Sequence, residues 1–240
     1  MKVQGSSAFV TGANRGLGQA LVQALLERGA ARVYAGARHI HKIPVFDGGD
    51  GGRVVPVPFD LTMPESILAA SARAADVDLL INNASTAAFG GPLEVDRASI
   101  AQEMHVNYLG TYDTIRAFLP ALRSNRGAIV NVLSLLALSS TPPMAGYSSS
   151  KAALHSMTQA LRPVLAADGI AVHGVYPAGI DTDMLAGLDV PKAAPSVVAD
   201  GILDGLEQGE EDIFPDPVSR SMADIWWSDP KAFERAFSHV

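Results

Sequence analysis

The feature that most constrains this chain is a short apolar run that leads into a glycine-rich turn and then into a helical repeat. Ser6 to Val10 form the apolar run, and the next eight residues, Thr11 to Gly18, contain three glycines. From Leu17 to Arg28 the apolar residues recur at helical spacing. A strand, a tight turn and a helix are therefore predicted in this order, which is the setting in which such a turn binds phosphate groups.

Each glycine of this turn has a predicted task. Gly12 permits the tight turn, Gly16 lets the backbone approach a pyrophosphate, and Gly18 lets the helix pack closely on the sheet. The free N–H groups at the start of the helix would then face the anion. A dinucleotide site is predicted, with a purely structural turn as the alternative. The predicted contacts in this turn are Gly12, Asn14, Arg15, Gly16, Leu17 and Gly18.

The choice of dinucleotide depends on the end of the second predicted strand. A NAD site usually carries a carboxylate there for the ribose hydroxyls, but this chain reads Gly36, Ala37, Arg38. Arg38 can pair with a 2′-phosphate, and Arg15 offers a second cation. The sequence therefore predicts NADP(H), although both arginines are also compatible with solvated surface positions.

Strand and helix patterns alternate along the whole chain. The predicted strands are 6–10, 32–36, 53–57, 78–82, 128–133, 170–176 and 212–214, and the predicted helices are 17–28, 64–75, 100–122, 147–167 and 196–207. The segment from His39 to Gly52 is predicted to be a surface loop. This alternation predicts a doubly wound three-layer αβα sandwich with a mainly parallel Rossmann sheet of about seven strands, in one domain over residues 1–240.

Composition excludes several classes of function. The chain has no cysteine among its 240 residues, which rules out disulfides and cysteine-ligated metals, and no histidine has a carboxylate at ligand spacing, so no metal site is expected. Its net charge of −7 argues against nucleic acid as a partner. No stretch of about 18 apolar residues is present to span a membrane. A cytoplasmic protein is expected.

A Tyr-x-x-x-Lys element points to chemistry. Tyr147 and Lys151 are four residues apart in a predicted helix and therefore share a face. A nearby cation favours phenolate over phenol, so Tyr147 is expected to exchange protons near neutral pH, as carbonyl reduction requires at the substrate oxygen. The pair alone is weak evidence, because a solvated surface pair has the same spacing.

With both motifs, the chain resembles the short-chain dehydrogenase/reductase family, of the NADP(H)-preferring carbonyl reductase type, from Ser6 to about Trp227. Ser85 replaces the glycine that usually closes the family's Asn-Asn-Ala-Gly element, and Ala178 separates Pro177 from Gly179. Neither change removes a reacting group. The further matching elements, in the family's order, are Asp60-Leu61, Asn82-Asn83-Ala84-Ser85, Asn107, Ser134 and Pro177-Ala178-Gly179-Ile180-Asp181-Thr182.

The resemblance implies a role for each matching residue. Tyr147 is the general acid for the carbonyl oxygen, Lys151 lowers the tyrosine pKa and holds the nicotinamide ribose, and Ser134 donates a hydrogen bond to the substrate oxygen. Asn107 is implied to fix a water that links Lys151 to solvent. The implied cofactor contacts beyond the glycine turn are Arg38, Asp60, Leu61, Asn83, Ala84, Ser85, Tyr147, Lys151, Pro177, Gly179, Ile180 and Thr182.

Three segments are expected to shape an apolar pocket for small or medium hydrophobic ketones and aldehydes. The expected lining residues are Phe89, Leu135, Leu136, Met144, Met184, Leu185 and Leu188. A homodimer or homotetramer is implied by the resemblance, and Trp226 with Trp227 would cover either an interface or the substrate mouth. An alcohol dehydrogenase working in the oxidative direction and a non-catalytic NADP(H)-sensing protein remain the alternatives.

Overall fold

Seven parallel strands form one sheet in the computed structural model, which describes residues 1–46 and 51–238. Their order across the sheet is β3-β2-β1-β4-β5-β6-β7. The chain thus begins in the middle of the sheet and winds outward in both directions. The strands are β1 (Ser7–Thr11), β2 (Arg32–Ala37), β3 (Val54–Pro58), β4 (Leu79–Asn82), β5 (Ala128–Val132), β6 (Ala171–Val175) and β7 (Asp212–Ile213).

Helices cover both faces of the sheet. They are α1 (Gly16–Glu27), α2 (Pro64–Arg73), α3 (Arg97–Glu103), α4 (Thr111–Asn125), α5 (Ala145–Ala166), α6 (Pro195–Gln208), α7 (Pro217–Ser228) and α8 (Pro230–Phe237). Short 3₁₀ turns span Ile40–Lys42, Leu135–Ala137, Pro142–Met144 and Asp183–Leu185. No helix in the described ranges is both long enough and apolar enough to cross a bilayer.

Alternate residues of β1 show why the strands are apolar throughout. Val10 packs into a core with α1 and α6, whereas its neighbour Phe9 packs into a second core with α2, α4 and α5. Because successive side chains of a strand point to opposite faces, both must be buried. The predicted three-layer αβα sandwich with a parallel Rossmann sheet is confirmed.

The structure corrects the predicted helix from Ile100 to Leu122. That stretch is continuous but changes character: α3 ends at Glu103, a π-helical segment follows over Met104–Gly110, and α4 begins at Thr111. Wider π turns are rare and often mark functional sites. Here the π segment carries Asn107, and its last residue, Gly110, packs so closely on the loop after β3 that a Cβ would lie 2.7 Å from the carbonyl oxygen of Leu61.

Two further segments of the structure differ from the prediction. Helices α7 and α8 were not predicted, because prolines and short polar stretches interrupt their apolar pattern; Asp216 and Asp229 cap them from the side chain. The predicted loop from His39 to Gly52 contains the 3₁₀ turn over Ile40–Lys42, and its glycines 48 and 49 lie outside the described residues.

Candidate active site

The site lies where the carboxyl ends of the central strands meet. Gly12 follows β1, Asn83 follows β4, Ser134 follows β5 and Pro177 follows β6. Because the strands are parallel, these positions share one edge of the sheet, which is where ligands bind in open α/β folds. Residues that are far apart in sequence therefore converge on one crevice.

The glycine turn has the geometry that its sequence predicts. Gly12 and Gly16 have φ of +69° and +54°, a region that glycine enters at little cost. Gly18 serves close packing instead, because a Cβ there would overlap the carbonyl oxygen of Gly12. A side chain at Gly16 would meet the methyl group of Thr182 at 3.0 Å, so the turn and the segment after β6 face each other at short range.

Thr11 and Asn83 fasten the glycine turn to the end of β4. The hydroxyl of Thr11 accepts hydrogen bonds from the backbone N–H groups of Asn83 and Ala84, both at 2.9 Å. The amide of Asn83 donates in return to the carbonyl of Thr11 at 2.9 Å. Thr11 was not among the predicted site residues, and its only sequence signal is a hydroxyl directly before the first glycine. Ser85 has no positive φ, so replacing glycine there introduces no strain.

The start of α1 fits the phosphates of a dinucleotide. The N-cap residue Arg15 makes no side-chain cap, and the first turn contains no acidic residue, so its N–H groups are open to an anion. Leu17 contributes only backbone there, since its side chain is buried in the core. These observations favour a bound pyrophosphate at this position.

The two predicted phosphate-binding arginines differ. Arg38 is exposed directly after β2 and pairs with none of the described carboxylates. Arg15 was expected to offer a second cation for the phosphate, but its guanidinium already lies 2.7 Å from the carboxylate of Asp183. Both partners of that pair are largely exposed, so the ion pair contributes little stability. Arg38 is thus the cation best placed for a 2′-phosphate.

Other predicted cofactor contacts make hydrogen bonds within the loops that surround the crevice. Asp60 uses its carboxylate within its own turn, where it accepts from the N–H and hydroxyl of Thr62 at 2.9 and 2.8 Å. After β6, Gly179 accepts a backbone hydrogen bond from Ala193 at 2.8 Å, and Ile180 forms a bridge with the same residue. Leu61 is buried, and Pro177 accepts a hydrogen bond from the N–H of Leu135 at 3.1 Å.

Tyr147 and Ser134 meet in the crevice. Ser134 has an extended backbone and begins a 3₁₀ turn, where its hydroxyl accepts from the N–H of Leu136 at 3.1 Å. The phenol of Tyr147, in the first turn of α5, lies close enough to this serine for the Ser134 hydroxyl to lower the tyrosine pKa. The predicted acid and the predicted oxyanion donor therefore lie near each other in the crevice.

Lys151 lies one helical turn beyond Tyr147. Its ammonium is 5.6 Å from the centre of the tyrosine ring and donates to the carbonyl of Val132, at the end of β5, at 2.7 Å. The side chain is only 2% exposed. That hydrogen bond holds the amine against the sheet edge beside the phenol.

The expectation that the nearby Lys151 lowers the pKa of Tyr147 toward neutral pH was wrong. Burial raises the pKa of Tyr147 above its ordinary value; the nearby hydroxyl of Ser134 lowers this pKa, and the negative charge of Glu103 raises it. Burial also lowers the pKa of Lys151 to about 7. Within the protein's own atoms, desolvation of both groups outweighs any help that the lysine gives to the phenolate.

Asn107 uses its whole side-chain amide inside the protein. Its oxygen accepts from the N–H of Thr86 at 2.8 Å, and its nitrogen donates to the carbonyl of Thr86 at 2.8 Å and to the hydroxyl of Ser150 at 2.9 Å. The residue thereby joins the loop after β4 to the catalytic helix. Ser150 was not predicted, although it lies inside the Tyr-x-x-x-Lys element.

A cleft of about 550 Å³ opens next to the start of α5. It lies between the segment around Leu138 to Ala145 and the C-terminal helices, where Trp226 forms part of its wall. The ring of Trp227 lies 4.3 Å from that of Trp226, centre to centre, with the two planes tilted by 57°, and Trp227 is mostly exposed. Leu135, expected to line a pocket, instead packs in the core with Tyr176 and Phe233, because the 3₁₀ turn directs it inward.

Comparisons with known proteins show the family of this chain. Residues 6–192 match the family model described as short chain dehydrogenase. A short chain dehydrogenase of the mould Monascus ruber is 31% identical over 78% of this chain and 66% of its own length. An uncharacterized oxidoreductase of Staphylococcus aureus is 31% identical over 84% of this chain and 90% of its own.

Solved structures extend the likeness over the full length. A short chain dehydrogenase from Burkholderia cenocepacia, solved in complex with NADP, has a TM-score of 0.92, 42% identity and 99% coverage of both chains. A short chain dehydrogenase/reductase from Burkholderia phymatum, solved with NAD, shares the fold at 21% identity, with a TM-score of 0.83 and coverage of 97% and 96%. From its fold, its strand-edge site and these matches, the chain belongs to the short chain dehydrogenase family of oxidoreductase enzymes.

Proposed function

We propose that this protein is an NADP(H)-dependent oxidoreductase that reduces the carbonyl of a small hydrophobic ketone or aldehyde to an alcohol. The observation that carries the proposal is the phenol of Tyr147, which lies near Ser134 and beside Lys151 where the carboxyl ends of the strands meet. A nucleotide-sensing protein would gain nothing from an acid positioned in this way.

Two residues act on the substrate oxygen in this proposal. The bound cofactor supplies or accepts the hydride. Tyr147 donates its proton to the carbonyl oxygen, and the hydroxyl of Ser134 donates a hydrogen bond to the same oxygen as negative charge grows there. In the opposite direction Tyr147 accepts the alcohol proton.

Lys151 and Asn107 support the proton transfer. With a pKa lowered to about 7, Lys151 can gain and lose a proton in the neutral range, so it can return a proton toward Tyr147. Asn107 donates a hydrogen bond to Ser150, the residue before Lys151 in α5, and so helps to position the lysine for this proton transfer. A water held near Asn107 that connects Lys151 to solvent remains part of the proposal.

Arg38 and the related Burkholderia cenocepacia structure support NADP(H) as the cofactor. That protein is 42% identical to this chain and was solved with NADP. Arg38 is exposed and pairs with none of the described carboxylates, and the residues beside it, Gly36 and Ala37, offer no carboxylate that would repel a 2′-phosphate.

The pKa of Tyr147 favours reduction over oxidation near neutral pH. Since burial raises that pKa, the phenol keeps its proton and is ready to act as an acid. Oxidation of an alcohol needs the phenolate and is therefore expected to require alkaline conditions. An alcohol dehydrogenase that works oxidatively uses the same residues and is the second candidate.

The lining of the cleft supports a proposal for the substrate, and exposed apolar side chains support a proposal for the assembly. The cleft beside α5 is walled by three prolines, Leu138 and Trp226 together with serines and one carboxylate, Glu234, and its apolar side chains support a hydrophobic carbonyl compound as substrate. Leu109, Tyr112 and Val164 leave apolar surface on the α4 and α5 side, which supports a homodimer or homotetramer. The absence of cysteine suits the reducing cytoplasm, which we propose as the location.

A panel of ketones and aldehydes with NADPH, followed by the loss of NADPH absorbance, tests the proposal. The same panel with NADH tests the cofactor, and alcohols with NADP⁺ test the direction. Turnover of alcohols alone at neutral pH would favour the oxidative enzyme. Tight NADPH binding without turnover of any compound would favour the sensing protein.

A further inference from the structure

A buried carboxyl group packs against Gly146, the residue before Tyr147, and has no part in the mechanism above. Glu103, the last residue of α3, is 1% exposed. One of its oxygens, Oε1, accepts a hydrogen bond from the N–H of Ala88 at 2.8 Å. The other, Oε2, is buried without a hydrogen-bond partner among the described residues. A buried carboxyl with an unpaired oxygen is costly, so its place calls for an explanation.

Gly146 makes room for this carboxyl. A Cβ at Gly146 would overlap Oε2 of Glu103, so any other residue at this position would displace the side chain. Gly146 directly precedes Tyr147 in the first turn of α5. Glu103 therefore bridges two parts of the site: the loop after β4, through Ala88, and the start of the catalytic helix.

The charge of Glu103 acts on Tyr147. Burial raises the pKa of Glu103, while the hydrogen bond from Ala88 lowers it. In the alkaline range where a tyrosine ionises, the carboxyl is charged and opposes formation of a second negative charge on the phenol.

Other titratable groups near Glu103 are placed differently. Lys151, on the same helix as Tyr147, directs its ammonium to the carbonyl of Val132. Glu94, on the loop after β4, and His105, on the π segment, are exposed to solvent. Among the described side chains, Glu103 is therefore the carboxyl whose charge acts on Tyr147.

We propose that Glu103 is a positioning residue for the reaction: it fixes the loop after β4 against the first turn of α5 and places a negative charge next to Gly146, the residue before Tyr147. The proposal rests on the proposed function, because it assigns a charged group next to the proposed proton donor. The two effects are separable, since one needs a hydrogen-bond acceptor and the other needs a negative charge.

Glu103→Gln isolates the charge. Glutamine keeps an oxygen for the N–H of Ala88 but is neutral, so KM should stay within about twofold while the pH profile moves. For the oxidation of an alcohol by NADP⁺, the alkaline rise of kcat should shift to lower pH by about one unit, because the phenolate forms more readily. Glu94→Gln, a change at an exposed glutamate, is the matched control and should leave the profile in place.

Glu103→Leu and Gly146→Ala test the hydrogen bond. Leucine removes the acceptor, so KM should rise several-fold above that of Glu103→Gln and hydrogen exchange at the amide of Ala88 should become faster. Gly146→Ala should speed the same exchange by displacing the carboxylate. Urea unfolding of each variant shows whether the fold is intact, and the amide exchange is read relative to the buried amides of β5.

A measurement that does not depend on turnover separates this proposal from the proposed function. The ultraviolet absorbance of tyrosinate, taken as the difference between protein with Tyr147 and its Tyr147→Phe variant, reports the ionisation of Tyr147 alone. This tyrosinate absorbance should appear at lower pH in Glu103→Gln than in the wild type. Superimposable titrations of Tyr147 in the wild type and in Glu103→Gln would overturn the assigned charge effect. Unchanged exchange at the amide of Ala88 in Glu103→Leu would overturn the assigned contact.

Discussion

The ammonium of Lys151 lies 5.6 Å from the centre of the Tyr147 ring, while its hydrogen bond is made to the carbonyl of Val132 at the end of β5. The two side chains share one face of α5 because they are four residues apart. Both are buried, so each is pushed toward its neutral form. The pair therefore presents a protonated phenol and an amine that titrates near pH 7.

Replacing Tyr147 with phenylalanine should remove the proton donor and little else. We expect kcat for carbonyl reduction to fall by about a thousandfold, the typical contribution of a positioned general acid, with NADPH affinity nearly unchanged. Steady-state rates and a fluorescence titration with NADPH measure the two quantities. Tyr112→Phe, at an exposed tyrosine of α4, is the control. Retained turnover in Tyr147→Phe would remove this residue from the mechanism.

The buried amine of Lys151 should make stability depend on pH. Its pKa is lowered from 10.5 to about 7 in the folded chain, so between these values the unfolded chain binds more protons. The free energy of unfolding should therefore rise with pH from about 7 to about 10, by up to about 1.4 kcal/mol per unit from this group.

Urea unfolding of the wild type and of Lys151→Met at several pH values measures this effect. The methionine variant lacks the titrating amine, so the difference in slope between the two proteins isolates Lys151. Equal slopes across that range would show that the amine keeps an ordinary pKa in the folded chain.

Arg38→Asp should reverse the cofactor preference. Arg38 is exposed after β2 and unpaired among the described residues, and aspartate there would repel a 2′-phosphate while accepting ribose hydroxyls. We expect the ratio of kcat/KM for NADPH to that for NADH to fall by about a hundredfold, as the loss of a charge-assisted pair and the gain of a repulsion imply.

The control for that variant is Arg73→Asp, at the last residue of α2. This helix starts near the ligand-binding edge of the sheet and runs away from it, so Arg73 lies at the opposite end. The cofactor ratio should not change there. A wild-type protein that already prefers NADH would contradict the role given to Arg38.

Gly18→Ala should damage the dinucleotide site through packing. The added Cβ overlaps the carbonyl oxygen of Gly12 and comes within 2.7 Å of the amide of Asn83. The turn must move, at a cost of about 1–3 kcal/mol, and NADPH affinity should fall with it. Urea unfolding and a cofactor titration check both effects, with Gln19→Ala at an exposed neighbouring position as the comparison. Wild-type affinity in Gly18→Ala would show that the turn tolerates a side chain.

Asn107→Leu should be more destabilising than an ordinary polar-to-apolar change. It leaves the N–H and carbonyl of Thr86 and the hydroxyl of Ser150 without their present partner. Each buried polar group that loses its partner costs about 1–3 kcal/mol, so the free energy of unfolding should fall by several kcal/mol. Thr114→Val removes one hydroxyl that bonds within its own helix and should cost much less. A similar loss in both variants would argue against the bracing role of Asn107.

The local pattern of the chain was enough to predict the architecture. Phe9 and Val10 are both apolar because β1 is buried on both faces, and that requirement is visible in sequence without any knowledge of the partners. Gly12 and Gly16 were predictable for a similar reason, since a positive φ is a local demand that glycine meets. The spacing of Tyr147 and Lys151 is equally local, because a helix places them on one face.

The properties that depend on surroundings came only from the tertiary structure. The pKa of Tyr147 is set by burial and by a carboxyl 44 positions earlier, Glu103, and neither is visible in the Tyr-x-x-x-Lys spacing. The pairing of Arg15 with Asp183 likewise joins segments that are distant in sequence. Sequence therefore determined which residues meet at the sheet edge, through local conformation and strand direction. The folded chain decided how strongly each of them holds its proton, because desolvation and charge act through space.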